Sequence, residues 1–426
     1  MEQYATNKTF KEYLFFWSGQ LFSLLGSMVV FFVIIWWVAE IYKNEILLAF
    51  ASFLGVLMMV ISMPIAGVIA DKFNRKIVIL VADSLQALLT LFLIIFFTSG
   101  AADITIVLLF ISLRSICQAF HSPTVNSIIP TMVPKDKLSR INGINFLFTG
   151  VVQLLAPFIG ALLLIVISIN LILWVDIITF FIALIPLLLI KIPRVNHNNH
   201  EEVKKTSFLK DFKLGFKTLI VIPGLLIMAI LSMLLNFLIT PVNALMPLFI
   251  IVNHGGGPDL LAYTEMFFTG GLIAGAIITS IKKNWNNKIR VIFICIVGAM
   301  VGYMIFALAP PGSLLIIAMG CIILGFNIPI INSLYQTFLQ IAVPADKLGR
   351  VTSIDNTLSS AISPIGSLIS GPLAVLMGIP MLFFSCGLIG VVITFVFWSF
   401  TGIKNVDIDN LNTIEEINGK LETIIS

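Results

Sequence analysis

The sequence carries little charge for its length. Only 11% of its 426 residues are Asp, Glu, Lys or Arg, whereas 59% are hydrophobic and the mean hydropathy is +1.08. A soluble domain has about 25% charged residues, because its surface must be hydrated. Twelve helices of about 20 residues would take up roughly 240 residues and leave only short loops. The composition therefore excludes a large soluble domain and indicates a polytopic membrane protein.

Cysteine is also scarce. Cys117, Cys295, Cys321 and Cys386 stand alone in apolar runs, and no CxxC spacing is present. We expect small packing residues rather than disulfide partners or metal ligands. The net charge of +4 comes from basic residues scattered between apolar blocks, which is not the pattern of a nucleic-acid-binding surface.

The sequence lacks several catalytic and pore motifs. There is no GxxxxGK[ST] phosphate loop, no GxSxG, and no HExxH, since Lys204 follows His200-Glu201-Glu202 where a second histidine would be needed. No filter sequence or ring of charges marks a channel. We therefore expect neither an enzyme nor a channel, and no cofactor or metal.

The apolar runs predict an all-α membrane protein. They are too long for barrel strands of about 10 residues, and their polarity does not alternate. Several exceed the roughly 20 residues that cross a bilayer, so we expect tilt or kinks at prolines. These are Pro64, Pro123, Pro157, Pro241, Pro247, Pro329 and Pro364. The expected spans 1 to 12 are 14–38, 46–70, 77–99, 104–130, 141–167, 169–190, 219–251, 260–281, 289–309, 313–341, 351–377 and 379–401.

Basic residues favour one orientation. The segments after spans 2, 4, 6, 8 and 10 are rich in Lys and Arg, whereas Lys43 is the one clear basic residue in the opposite loops. The positive-inside rule then places both termini in the cytoplasm of a multi-pass protein of the cell membrane. Lys8 and Lys11 precede span 1 without a recognisable cleavage site, so we expect no signal peptide.

The two halves repeat one design. HSPTVNS at 121–127 leads to PKDKLSR at 134–140, and NIPIINS at 327–333 leads to PADKLGR at 344–350. The offsets are 206 and 210 residues, and their difference is about one helical turn. Parallel six-helix repeats are typical of alternating-access carriers, whose substrate site lies between the halves near the bilayer midplane. The expected parts are an N-terminal half 1–190, a basic linker 191–217, a C-terminal half 218–401 and a cytoplasmic tail 402–426.

The loop after span 2 carries the most specific motif. GVIADKFNRK at 67–76 resembles the major facilitator superfamily motif G-x-x-x-D-[RK]-x-x-R-[RK], with matches at Gly67, Asp71, Lys72, Arg75 and Lys76. It departs at Asn74, where glycine is usual, and asparagine tolerates a left-handed backbone better than most residues. FWSGQ at 16–20, the segment 114–123 and PVNALMP at 241–247 are similar to the macrolide-efflux-like, drug:proton antiporter branch.

This resemblance implies a major facilitator fold and proton-coupled export of an amphipathic drug-like compound such as a macrolide. It also implies that the 67–76 loop gates transport, with Asp71 facing a helix N-terminus or a cation and Arg75 a carboxylate. A solvated basic loop is the alternative. On span 5, Gly150, Pro157 and Gly160 resemble an exporter helix-bend motif, although ordinary close helix packing would use the same residues.

Arg114 is the most informative ionisable residue. It lies about 15 Å inside span 4, where a cation costs about 2.5–3.5 kcal/mol, and Gln118 and His121 share its face. Asp176 is expected at a depth in the membrane closer to that of Arg114 than Asp83 is. Asp176 is therefore the first candidate partner of Arg114, and Asp83 is the second. We expect Arg114 to anchor substrate or to tune the coupling acid, and the alternative is a static ion pair. His121 titrates near neutral pH, but a structural histidine would look the same.

Neutral polar residues are candidates for the cavity wall. A transporter of bulky apolar compounds needs mostly apolar walls with a few polar anchors. The candidates are Gln20, Asn145, Asn236, Asn243, Asn332 and Gln336, with the aromatic residues Phe31, Trp36, Trp37 and Tyr335. Expected partners are a small amphipathic substrate, protons and the lipid bilayer, and we expect a monomer. The alternatives are an exporter or flippase of a siderophore or lysophospholipid, or a transporter-like sensor that moves nothing.

Overall fold

The structure is a computed structural model that describes residues 6–134, 137–192, 216–282, 285–343 and 345–405. Over these ranges it contains helices and no strand, and twelve of its helical segments are long and apolar enough to cross a membrane. The expected all-α, twelve-span class is therefore confirmed. Most of the 191–217 linker and most of the 402–426 tail lie outside the described residues.

Side chains cap the starts of the first four spans. Thr6 and Thr9 form a capping box, so span 1 starts seven residues earlier than expected. Asn44 and Asp103 accept backbone N–H bonds at the starts of spans 2 and 4. Spans 1 to 6 are formed by Asn7–Tyr42, Glu45–Lys72, Arg75–Ser99, Ile104–Met132, Leu138–Val166, and the pair Ile169–Ile172 with Trp174–Leu189.

The second half repeats the pattern with two irregular spans, 7 and 11. The prediction that span 7 begins at residue 219 is wrong. Pro223 and Gly224 (φ 82°) interrupt the helix, so span 7 begins at Leu225. Pro364 begins the second part of a broken span 11. Spans 7 to 12 are formed by Leu225–Leu248 with a π-helical Phe249–Asn253, Pro258–Ile281, Lys288–Ala307, Leu314–Ala342, the pair Ala345–Ala361 with Ser363–Met377, and Ile379–Phe400.

Asn74 does not adopt the backbone conformation that its glycine-like position suggested. Its φ is −64°, and its side chain accepts a hydrogen bond from the Lys76 N–H at 3.0 Å. Asn74 is therefore the N-cap of span 3, a position that asparagine favours. The replacement of glycine by asparagine at this loop is explained by capping rather than by a left-handed turn.

Tertiary contacts divide the chain into two units. The first unit has the bounds Met1–Asn199 and Gly256–Ala262, and the second has the bounds His200–Gly255 and Tyr263–Ser426. In the first unit, span 1 packs against spans 5 and 6, and span 4 packs against spans 2 and 3. In the second unit, span 9 packs against spans 10 and 12, and span 7 packs against spans 11 and 12. Spans 1, 3, 4 and 6 of the first unit enclose its buried polar groups.

Candidate functional site

A buried ion pair lies inside the first unit. Arg114 Nη1 on span 4 is 2.6 Å from Asp176 Oδ2 on span 6, and the two residues are 6% and 4% exposed. Thr90 Oγ1 on span 3 donates to the same carboxylate oxygen at 2.5 Å, and Ser27 Oγ on span 1 donates to Asp176 Oδ1 at 2.9 Å. Arg114 also contacts Thr90. Both oxygens of Asp176 are thus occupied by donors from three other spans.

A second buried pair lies on the same face of span 4. His121 Nε2 is 3.5 Å from Asp83 Oδ1 and 2.6 Å from Gln20 Oε1. The His121 Nδ1 and Gln20 Nε2 atoms are buried without a hydrogen-bond partner among the described residues. Asp83 is 8% exposed and makes no hydrogen bond in the described part of the chain. The two acids therefore differ sharply in how well they are satisfied.

A small cavity connects the two pairs. Its lining includes Asp83, His121 and Asp176, together with the neutral side chains Ser23, Ser27, Gln86 and Gln118, and Phe180. Its interior volume of about 10 Å³ is at the lower limit for one water molecule. A water there would lie among hydroxyl, amide and carboxylate groups, which supply the several polar partners that a buried water requires.

Three polar stripes create this site. Residues at i, i+3 or i+4, and i+7 share one helix face, so each stripe points into the same interior. The partners Ser27, Gln86 and Thr90 were not foreseen from the sequence, although this spacing would have found them. The stripes are Gln20, Ser23 and Ser27 on span 1; Asp83, Gln86 and Thr90 on span 3; and Arg114, Gln118 and His121 on span 4.

The predicted gating motif is only partly visible. The side chains of Asp71 and Lys72 lie outside the described part of the structure, and Arg75 is half-buried. A Cβ atom at Gly67 would meet nothing within 4 Å. Lys76 Nζ donates to the carbonyl oxygens of Leu188 and Ile190, at 2.8 Å each. Lys76 therefore neutralises the negative end of span 6, a contact that the sequence did not suggest.

The residues of the predicted helix-bend motif have different surroundings. Pro157 lies inside the span 5 helix, and a Cβ at Gly160 would lie 2.6 Å from the Phe32 ring of span 1. A Cβ at Gly150 would meet nothing within 4 Å. Close packing in this structure therefore requires glycine at Gly160 but not at Gly150.

The predicted cavity residues have different surroundings within each unit. Gln20 contacts His121, while Asn145 accepts a hydrogen bond from Trp17 Nε1 at 2.7 Å. In the second unit Gln336 is half-buried, and Asn236, Asn243 and Asn332 are exposed. Of the aromatic candidates, Trp36 is buried against Glu40, Tyr335 donates to Asp355 Oδ1 at 2.6 Å, Phe31 is 39% exposed and Trp37 packs on Phe97.

The charged cluster has no equivalent at the matched positions of the second repeat. The 206-residue offset places Gly320 opposite Arg114 and Asn327 opposite His121. Asn327 Nδ2 bonds the Ile323 carbonyl of its own helix at 2.7 Å. Among the described residues no group of three or more His, Cys, Asp or Glu could hold a metal ion, and the four cysteines are buried and unpaired.

These features define a multi-pass helical membrane protein with ionisable groups enclosed by its first six spans. A sequence profile of the Major Facilitator Superfamily matches residues 16–367. The chain belongs to this superfamily, and its family and fold are those of a transporter of small molecules rather than of an enzyme.

Individual proteins refine the comparison. The chain is 27% identical over 410 residues to Macrolide efflux protein A of Streptococcus pyogenes, covering 96% of this chain and 100% of that protein. It is 22% identical over 395 residues to the Staphyloferrin A transporter of Staphylococcus aureus (strain NCTC 8325 / PS 47), covering 90% and 95%. A crystal structure of a bacterial homologue of the iron transporter ferroportin, in an inward-facing state, has a TM-score of 0.66 at 14% identity and covers 92% of this chain and 99% of that one. The resemblance to a macrolide-efflux-like transporter is confirmed.

Proposed function

We propose that this protein exports amphipathic drug-like compounds such as macrolides from the cell, driven by the entry of protons. The observation that carries the proposal is the enclosed pair of acids, Asp83 and Asp176, with Arg114 and His121, in a chain similar along 96% of its length to a macrolide efflux protein. Ionisable groups within a membrane are costly and are usually retained for transport or proton transfer. At the matched positions the second repeat has Gly320 and Asn327 instead of Arg114 and His121.

Drug accumulation in an efflux-deficient bacterial host tests this proposal. Expression of the protein should lower the accumulation of erythromycin, a macrolide, and a protonophore should abolish the difference. The Asp355→Asn variant is the control for loss of a buried acid outside the charged cluster. Asp355 accepts a hydrogen bond from a tyrosine rather than pairing with a cation. Macrolide accumulation equal to that of the empty host would reject macrolide export, and efflux insensitive to the protonophore would reject proton coupling.

The transport cycle is proposed to proceed by alternating access, with the 67–76 loop as its cytoplasmic gate and both termini in the cytoplasm of the cell membrane. The match of this loop to the superfamily motif at five positions supports the gate. Asp71→Asn should reduce efflux while the protein remains inserted at normal levels. Normal efflux by this variant would remove the gating role.

A siderophore is the second candidate substrate, favoured by the similarity to the Staphyloferrin A transporter over 90% of the chain. Competition decides between the substrates: a carboxylate siderophore should inhibit macrolide efflux only if both use one site. If the protein binds one of the two compounds but transports neither of them against a gradient, it would instead be a sensor.

A further inference from the structure

The two buried acids of the first unit have different capacities for binding a proton. Asp176 accepts hydrogen bonds from Ser27 and Thr90, and Arg114 Nη1 lies at 2.6 Å. Protonating this carboxylate would remove an acceptor from two hydroxyl groups and leave a buried guanidinium without its counter-charge. Such an uncompensated buried charge is strongly unfavourable. The Arg114–Asp176 pair is therefore suited to hold spans 1, 3, 4 and 6 together in one charge state.

Asp83 lies in the opposite situation. It makes no hydrogen bond to another described residue, and the His121 imidazole lies 3.5 Å from it, which is longer than an ordinary N–H···O hydrogen bond. Asp83 also lines the cavity, where a water molecule can reach it. A proton can therefore bind this carboxylate without displacing any donor.

His121 supplies a second proton-binding group. Its Nε2 is paired with Gln20 Oε1 at 2.6 Å, which makes Nε2 the protonated nitrogen of the neutral ring. Its Nδ1 atom is buried without a partner among the described residues, so this lone pair remains free to take a proton. The pair thus has two forms one proton apart: a carboxylate with a neutral imidazole, and the same groups with one added proton on Asp83 Oδ or His121 Nδ1. In strongly coupled groups this proton belongs to the pair rather than to either residue.

Few other charged groups lie near this pair. Span 4 contributes Arg114, span 6 contributes Asp176, and span 1 presents the neutral Gln20 and Ser23. The Cys117 thiol on span 4 is the remaining titratable side chain close to both Asp83 and Arg114. Because Arg114 and Asp176 neutralise each other, the Asp83–His121 pair is the local group whose net charge can change.

We propose that Asp83 and His121 together bind and release the coupling proton, while Arg114 and Asp176 remain a permanently ionised pair. The inference rests on the proposed proton-coupled export and identifies the groups that perform the coupling. In an antiporter, proton binding and substrate binding must oppose each other, so each ligand should weaken the affinity for the other by the same factor.

Proton release on substrate binding tests the proposal directly. The purified full-length protein is mixed with erythromycin in weakly buffered detergent solution, and a pH-indicating dye reports the protons released. Wild-type protein should release protons, and its apparent Kd for erythromycin should rise about tenfold per pH unit below the pKa of the pair. Asp83→Asn and His121→Asn should bind erythromycin, release no proton above background, and lose this pH dependence.

A matched control makes the result specific. Asp355→Asn removes a buried acid of the second unit and should leave proton release unchanged. The correct fold of each variant is checked by its size-exclusion profile and melting temperature.

The outcomes distinguish the assignment of the proton to Asp83 and His121 from proton coupling itself. Proton release retained in Asp83→Asn and His121→Asn, or lost in Asp176→Asn alone, would overturn the assignment while leaving proton-coupled export intact. Erythromycin binding by wild-type protein without any proton release would reject proton coupling itself, and absence of erythromycin binding would reject a macrolide as the substrate. If one of the two variants does not fold, the other gives the same decision.

Discussion

At the scale of single residues, the first unit satisfies its buried charges very unevenly. Arg114 and Asp176 neutralise each other inside a shell of hydroxyl groups, whereas Asp83 and His121 leave lone pairs free. A buried polar group without a partner is unfavourable, so an unsatisfied one in a native structure calls for an explanation. The proposed proton binding accounts for the second pair, and helix anchoring accounts for the first.

Removing one member of the Arg114–Asp176 pair should be more harmful than removing both. Arg114→Ala leaves a buried carboxylate without its counter-charge, which is expected to cost about 3–5 kcal/mol and to lower the amount of inserted protein. Arg114→Ala combined with Asp176→Asn should recover inserted protein and much of the proton-driven efflux. Quantitative immunoblotting and protonophore-sensitive efflux measure both effects. A double variant that is inserted but inactive would show that Arg114 has a role in the transport cycle itself.

Lys76 offers a stability prediction outside the charged cluster. Replacing it with Met removes two hydrogen bonds to the last carbonyls of span 6, which should lower stability by about 1.5 kcal/mol, the smaller end of the range for charged donors because Lys76 is half-buried. The melting temperature of the purified protein measures the change. Lys11→Met is the matched control, since Lys11 is exposed and makes no polar contact in the described structure. Equal melting temperatures of the two variants would contradict the capping role.

At the scale of helices, glycines set how closely spans approach. Gly26 of span 1 lies against the Thr179 side chain of span 6, and Gly160 of span 5 lies against Phe32 of span 1. Small residues allow such contacts, and packing supplies much of the attraction between helices in a membrane. These contacts hold span 1 between spans 5 and 6, and so keep its polar stripe opposite spans 3 and 4.

Gly26→Ala should separate spans 1 and 6, because the new methyl group would overlap Thr179 Oγ1. Overpacking of this kind typically costs about 1–3 kcal/mol. The second-site change Thr179→Ala should restore stability, since it removes the overlapping atoms. Gly150→Ala is the control, because no atom lies within 4 Å of its new Cβ. Thermal unfolding of the three variants gives the comparison, and a stable Gly26→Ala protein would contradict the predicted close contact.

At the scale of the whole molecule, two sequence repeats have acquired different chemistry. The first keeps Arg114, Asp83 and His121, while the second has Gly320 at the position of Arg114 and Asn327 at that of His121. Its buried acid Asp355 is bonded to Tyr335 instead of to a cation. The shared fold therefore does not imply shared roles, and we assign proton coupling to the first unit.

Membrane orientation gives a prediction for the entire chain. With both termini in the cytoplasm, Ala101→Cys in the loop between spans 3 and 4 should react with a membrane-impermeant maleimide in intact cells. Lys404→Cys should react only after permeabilisation. Both positions are exposed and the four native cysteines are buried, so wild-type protein is an adequate background. The reverse labelling pattern would invert the proposed topology.

Much of the fold was predictable because its causes are local. Long apolar runs predict spanning helices, and most predicted ends agree with the structure within about three residues, which is the ordinary uncertainty of helix boundaries. The errors have local causes too. Span 7 starts late because Pro223-Gly224 ends the preceding helix, and Asn74 acts as a cap rather than as a left-handed residue.

The sequence by itself determined the membrane class, the twelve spans, the repeat, and the presence of costly ions within the bilayer. The tertiary structure decided which groups meet: Asp176 receives three donors, and Asp83 lies 3.5 Å from His121 beside a small cavity. The physical reason is that hydrophobicity sets the depth of a helix, whereas its rotation depends on packing against distant spans. The contacts of a buried acid depend on both depth and rotation, so spacing along the chain could nominate the acids but could not assign their partners.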